Sequence, residues 1–444
     1  MDLIIYSSFT SPRLAYIQHQ VFQEWLGLTS QLTTQIEVYK QFKGGRVNYS
    51  NNRLLEEELF IPSSSILKES NIHPIELHSN SEYNKIPALF KSEITDTDIP
   101  FDVLATIFFH LSRYEEYLSF TPDKHNRFTA AASWAYRNKC LDVPIVDIYV
   151  QRIKKQLLAH FPFLVFAHKK FSASITYDID MAWAYSYKSY KRNMGGLVRD
   201  IFQGRWQAVK TRCLVLLGKQ TDPYYQTFNY FDQLHQKYNI QPIYFFLLGK
   251  YGTFDKNTSP SKMIFQQLIQ TIAKKYTVGI HPSYQSNYQE HQLKEEIELL
   301  ATITSKPVNK SRQHFLKLHL PTTYRQLLAQ NITADYSMGY AGAIGFRAGT
   351  SLPFYWYDLE RESSTQLCIH PFQVMDVTLK SYLLLSPDQA KTKISELIQA
   401  IQATDGVFCS LWHNSSFSFI EGWEGWNSVY EHLLEEVYKK EKSE

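Results

Sequence analysis

Cysteine is scarce in this chain: four occur in 444 residues, at Cys140, Cys213, Cys368 and Cys409, and no two stand in a C-x-x-C spacing. That argues against a disulfide framework and against a thiolate zinc site. An excess of one charge is missing too. The 46 Lys and Arg nearly balance the 43 Asp and Glu, leaving a net +3, so the whole chain makes no electrostatic case for nucleic acid or an anionic membrane as its main partner. Glycine and proline, 17 each, are too few for a collagen-like or low-complexity chain, and no internal repeat is visible. No uncharged apolar run approaches the ~20 residues of a membrane helix. The best stretches, 161–167 and 213–218, fall far short. The N-terminus lacks a basic region followed by a long apolar run and a small-residue cleavage site. It reads as a buried first strand, and the expected location is the cytoplasm.

What is present is the composition of a globular protein, 44% hydrophobic and 20% charged, with 30 Tyr, 28 Phe and 8 Trp. A chain this long buries a large core without help from metal or disulfide. Two parts read differently. Residues 1–168 are expected to form a smaller α/β N-terminal domain: a strand at 3–8, an amphipathic helix at 12–26, extended and turn-punctuated segments to about residue 100, then helices at 102–118 and 146–160. From residue 169 to 444 the pattern becomes strand, helix, strand, helix. Strands are expected at 172–180, 242–248, 276–281, 312–318, 332–336, 366–369 and 406–411, with helices at 224–238, 261–275, 289–302, 322–330, 387–404 and 425–440. Such alternation implies parallel strands covered by helices, with chemistry at the carboxyl ends of the strands.

Those ends carry the informative residues. The first strand ends Thr176-Tyr177-Asp178-Ile179-Asp180, and period-two alternation places both aspartates on one face. Two close carboxylates raise each other's pKa unless a cation sits beside them. A later strand ends in Gly279-Ile280-His281, an imidazole suited to a zinc-like ion, although a solvated loop histidine is the commoner use. Arg312 and His314 share a face of the strand expected at 312–318, where a fixed guanidinium would orient a carboxylate and hold it ionised. The last strand ends Leu411-Trp412-His413, which brings an imidazole out of an apolar core, in position to give a proton to a leaving group.

In order and residue type these strand ends resemble the polysaccharide deacetylase family, carbohydrate esterase family 4. The family's T-F-D-D corresponds to Thr176-Tyr177-Asp178-Ile179-Asp180, with one residue inserted. Its H-[ST]-x-x-H begins at His281 but has Gln285 in place of the second histidine. Its central Arg corresponds to Arg312 and its Leu-x-His to 411–413. The resemblance spans about 172–440 and implies a distorted (β/α) barrel. It implies Asp178 as general base, Asp180 and His281 as metal ligands, Arg312 orienting Asp178, and His413 as general acid. His314 is the expected substitute for the missing histidine, with His291, His319 and His370 as other candidates and a two-ligand site also open. The implied cofactor is a divalent metal, zinc first, then cobalt, nickel or iron.

The implied reaction removes an N-acetyl or other acyl group from an amino sugar or glycan, in bacterial surface-polysaccharide synthesis. The alternatives are a metal hydrolase of another amide or glycosidic bond, or a silent glycan-binding or assembly protein on the same barrel. Three more stretches stand out. Asp335 or Arg347, near a Gly-rich segment, is expected either to tune His413 or bind sugar hydroxyls, or else to serve a turn-rich connection. Trp412, Trp423 and Trp426 would floor a sugar cleft or pack a core. The marks at 111–117 and 123–128 resemble an uncharacterised region found beside divergent deacetylase domains in bacteria, and the second would cap the barrel mouth.

Overall fold

A computed structural model describes residues 1–75, 77, 82–83, 86–420 and 422–438. Near the N-terminus four parallel strands, β1 (Leu3–Ser7), β2 (Ser30–Thr33), β3 (Gly45–Ser50) and β4 (Leu59–Pro62), pair in the order β2-β1-β3-β4. The short pair β5 (Glu82–Tyr83) and β6 (Ile86–Pro87) is antiparallel. The helix expected at 102–118 runs only from Val103 to Leu111. Asp102 caps it, its carboxylate accepting from the Ala105 amide at 2.8 Å. It ends because Arg113 turns into the left-handed region (φ 54°), which points Arg113, Glu115 and Glu116 inward into buried ion pairs. The helix Ile145–His160 follows, and residues 161–171 have no regular structure.

The remaining strands are β7 (Ser172–Ile179), β8 (Ile243–Leu247), β9 (Thr277–His281), β10 (Lys310–Ser311), β11 (Ala334–Asp335), β12 (Phe354–Asp358), β13 (Ser363–Ile369), β14 (Val374–Met375) and β15 (Val407–His413). They form one nine-stranded sheet, ordered β12-β13-β11-β10-β9-β8-β7-β15-β14, in which every pair is parallel except β12 with β13. Among the described residues the edge strands β12 and β14 do not pair with each other, so the ladder of the expected barrel does not close.

The sheet nevertheless curls strongly. Phe245 of β8, Ala334 of β11, Met375 of β14 and Cys409 and Leu411 of β15 pack into one small apolar cluster on its concave side. Their neighbours Tyr244, Phe246, Phe408 and Trp412 face the opposite way, into the main core under the helices. Gly279 shows how tight the concave side is: a Cβ there would lie 2.6 Å from the Phe245 ring and 2.9 Å from the Lys310 carbonyl.

The helices at Pro223–Tyr238, Met263–Lys275, Glu290–Thr304, Thr322–Ala329, Pro387–Gln402 and Asn427–Val437 stand where the apolar periodicity puts them. Residues 439 and 440, the end of the last expected helix, lie outside the described residues. The strand expected at 312–318 is absent. Pairing stops at Ser311, and the chain bends through His314–Leu316, with Phe315 and Leu316 at φ 60° and 52°. No described helix is long and apolar enough to cross a membrane. All four cysteines are free thiols.

Candidate functional site

The carboxyl ends of β7, β9 and β15 and the turn after β10 meet at a cavity of about 290 Å³ on the concave side. Alternation along β7 sends Ile175, Tyr177 and Ile179 into the helical core and Asp178 toward the cavity, with Asp180 following just past the strand end. Alternation along β15 likewise separates Leu411 and His413 from Trp412.

All six residues expected at the site come together. Asp180 Oδ1 is 3.2 Å from His281 Nε2, and Asp180 Oδ2 is 3.6 Å from His314 Nε2. One ligand atom from each of Asp180, His281 and His314 lies within 4.8 Å of the others. Asp178 Oδ2 is 3.6 Å from His281 Nε2, and its Oδ1 is 3.2 Å from Arg312 Nη1. His413 Nε2 is 3.9 Å from Asp180 Oδ2. His291 and His319 are surface residues, and none of His291, His319 and His370 lines the cavity. Gln285 is exposed at a turn.

Each imidazole is fixed by its other nitrogen. His281 Nδ1 donates to the Arg312 carbonyl at 2.5 Å, and His314 Nδ1 donates to Asp255 Oδ1 at 2.8 Å. A ring that donates through Nδ1 presents a lone pair at Nε2 when neutral, as a metal-ligating histidine must. Asp180 Oδ1 is buried and has no hydrogen-bond partner, despite its closeness to His281. A carboxylate with one orphaned oxygen, facing one imidazole nitrogen from each of its two oxygens, is a donor set that a divalent cation satisfies. Oxygen and nitrogen donors suit zinc and its first-row neighbours. The residues therefore fit the group that the motifs imply.

The same closeness shows in the electrostatics, and a cation bound at His314 Nε2 would displace a proton. Burial would raise the Asp180 carboxyl, but His314, His281 and His413 hold it well below the usual carboxylate range. Burial would lower His314, yet Asp180 and Asp255 push it up to about 9. His413 is likewise pushed up to about 10, against its own burial, by Asp376 and then by Asp180 and Asp178.

Arg312 is fully buried. It donates to the Tyr336 carbonyl at 2.9 Å and to Thr176 Oγ1 at 2.6 Å, and its guanidinium lies over the Phe245 ring at 4.9 Å. So held, it grips Asp178 without freedom to swing. Asp376, just past β14, was not anticipated from the sequence. It accepts from the His413 amide at 2.7 Å and from His413 Nδ1 at 2.8 Å, and it takes the Ser416 hydroxyl as well. Asp255 lies in a loop with no periodic pattern to mark it, and was missed for that reason. Asp376 follows a two-residue strand too short to register in sequence.

The alternatives left open at the other stretches resolve toward packing. Asp335 does not touch His413; it is buried and bonded to Ser337. Arg347 does not reach sugar or His413 either, because it pairs with Glu116 at 2.6 Å, inside the buried network that also holds Arg113. Trp412, Trp423 and Trp426 belong to the core, so none floors the cavity. Its apolar walls are instead Phe254, Phe315, Met375 and Tyr382. The 123–128 stretch does reach the mouth: Arg127 lines the cavity and donates to the Phe315 carbonyl.

Residues 3–162 match the model of a family of unknown function (DUF7033). No curated protein matches the chain in sequence. Among solved structures, the chain is similar to a Mycobacterium smegmatis protein assigned as a polysaccharide deacetylase, at 12% identity over 62% of this chain and 86% of that one, with a TM-score of 0.41. A polysaccharide deacetylase from Bacillus cereus matches at 10% identity over 61% of this chain and 88% of that one, with a TM-score of 0.30. A 4-alpha-glucanotransferase from Thermococcus litoralis matches at 12% identity over 62% of this chain and 38% of that one, with a TM-score of 0.37. At such scores the likenesses carry no activity to this chain.

Proposed function

We propose that the protein is a metal-dependent hydrolase that removes an acyl group, N-acetyl first, from an amino sugar or glycan. The observation that carries this reading is the pairing of two features. Asp180, His281 and His314 each bring one ligand atom to within 4.8 Å of the others, and two separately anchored acid–base groups, Asp178 and His413, line the same cavity. Asp180, His281 and His314 would hold the cation, with zinc preferred to cobalt, nickel or iron. When bound, such an ion supplies Lewis acidity toward an acyl carbonyl and a water. Asp178, gripped by Arg312, takes the proton from the attacking water. His413, oriented by Asp376, gives the proton from Nε2 to the leaving amine nitrogen as the C–N bond breaks, so the products are a carboxylate and a free amine. The apolar walls and the small volume suit a short acyl group.

We also propose that residues 169–444 form the hydrolase unit, on a (β/α) barrel left open between β12 and β14. Residues 1–168 would be a companion domain that lends Arg127 to the mouth. Free thiols support a reducing compartment, in keeping with an intermediate of surface-glycan synthesis on the cytoplasmic side. The test is acetate release from N-acetylated amino sugars and oligosaccharides by zinc-loaded protein. Release by wild type, and none by Asp178→Asn with its metal retained, supports the reading. Equal release by both contradicts it.

A further inference from the structure

Between β7 and the helix Pro223–Tyr238 the chain makes a helical hairpin, Tyr190–Phe202 followed by Trp206–Leu216. Its inner face is well anchored: Asp200 pairs with Arg212 at 2.6 Å, and Arg212 also donates to Asn193 Oδ1 at 3.2 Å. The outer face of the first helix carries Tyr190, Met194, Val198, Ile201 and Phe202, at the spacing that keeps side chains on one side of a helix. All five are exposed, Phe202 by 86%, and Trp206 at the start of the second helix is exposed by 66%.

The charge here is lopsided. Residues 187–219 hold eight of the 46 Lys and Arg but one of the 43 Asp and Glu, so the rest of the chain is net acidic, with 38 against 42. The near-neutral total hides this segment. Five cations of the hairpin, Lys191, Arg192, Arg199, Arg205 and Arg212, together with Lys256, line a hollow of about 380 Å³ in which Asp200 is the one acid among the described residues.

We propose that this hairpin is a docking surface for an anionic lipid bilayer, with its apolar stripe set among the acyl chains and its cations at the headgroups. An exposed apolar stripe flanked by Lys and Arg is what an interfacial helix needs. A nucleic acid would leave Val198, Ile201 and Phe202 uncovered, and a second copy facing it across a two-fold axis would bring like charges together. Met181 and Lys256 line both the basic hollow and the candidate active site, so docking would bring that site close to the bilayer. The proposal holds whether or not the site hydrolyses anything.

Trp206 makes the test direct, because the seven other tryptophans are each 8% exposed or less. The full chain is mixed with phosphatidylcholine vesicles, either pure or containing about one third phosphatidylglycerol, with and without brominated acyl chains. Expected results are co-sedimentation with the anionic vesicles alone, weakened by salt, and quenching of Trp206 by the brominated chains. Phe202→Ser and, separately, Arg205→Glu should each weaken binding by about ten-fold. Trp206→Phe should keep most of the binding and lose the quenching. No binding to anionic vesicles, quenching that survives Trp206→Phe, or a solution dimer that Phe202→Ser dissolves would overturn the proposal.

Discussion

His314 Nδ1 lies 2.8 Å from Asp255 Oδ1, which leaves His314 Nε2 facing Asp180 at 3.6 Å. This contact holds the ring in the orientation that the proposed metal centre needs. Asp255 is itself fixed, since it also accepts from the Tyr284 amide at 2.9 Å. Removing such an orienting carboxylate typically costs 10–100-fold in metal affinity. Asp255→Asn should therefore weaken zinc binding by about that factor, measured by competition with a chromophoric chelator.

Asp178 and His413 should separate from the ligands in their effects. Asp178→Asn keeps the shape and the Arg312 contact but cannot take a proton, so kcat should fall by about 10²–10⁴-fold with metal content unchanged. His413→Ala should do the same. Asp376→Asn should lower kcat less than His413→Ala, because the ring remains but is held less well. Metal analysis beside steady-state kinetics checks all three.

Asp147, in the first turn of the helix Ile145–His160, gives a pH prediction remote from the site. It accepts from the Ser351 amide at 2.9 Å and from the Ser351 and Thr350 hydroxyls, and burial raises it to about 6 despite those bonds. The folded state therefore holds this proton more tightly than the unfolded chain, whose value is 3.8. That stabilisation is fully present below pH 3.8 and is lost as pH rises through about 6. Urea titrations at pH 4 and 7 should show wild type losing up to about 3 kcal/mol more than Asp147→Asn across that interval. Equal losses would contradict the assignment.

Gly279→Ala should destabilise the fold by about 1–3 kcal/mol, since its new methyl would meet both the Phe245 ring and the Lys310 carbonyl. Because Phe245 also packs under Arg312, activity should fall as well. Thermal unfolding and kcat measured on one preparation check both.

Much of this was legible in the sequence because it depends on local period. Alternation along β7 put Asp178 and Asp180 on one side, and the apolar helices between strands announced parallel pairing. The same rule separates Trp412 from His413, adjacent residues that face opposite sides of β15. What was not legible depends on long-range contact. His314 reaches Asp180 from a turn, not from the strand whose alternation puts it on the Arg312 face. Asp255 and Asp376 sit in irregular chain, where no pattern marks a residue. The 102–118 helix stops early where Arg113 turns back to pair with Glu116, and Glu116 also pairs with Arg347, more than 200 residues away.

The central claim is that Asp180, His281 and His314 form one metal centre. Elemental analysis of purified wild type beside His281→Ala and His314→Ala tests it most directly. The account predicts about one equivalent of a transition metal in wild type and loss from both variants. Wild type that takes up no metal even after reconstitution, or a His314→Ala variant that keeps a full equivalent, would contradict it.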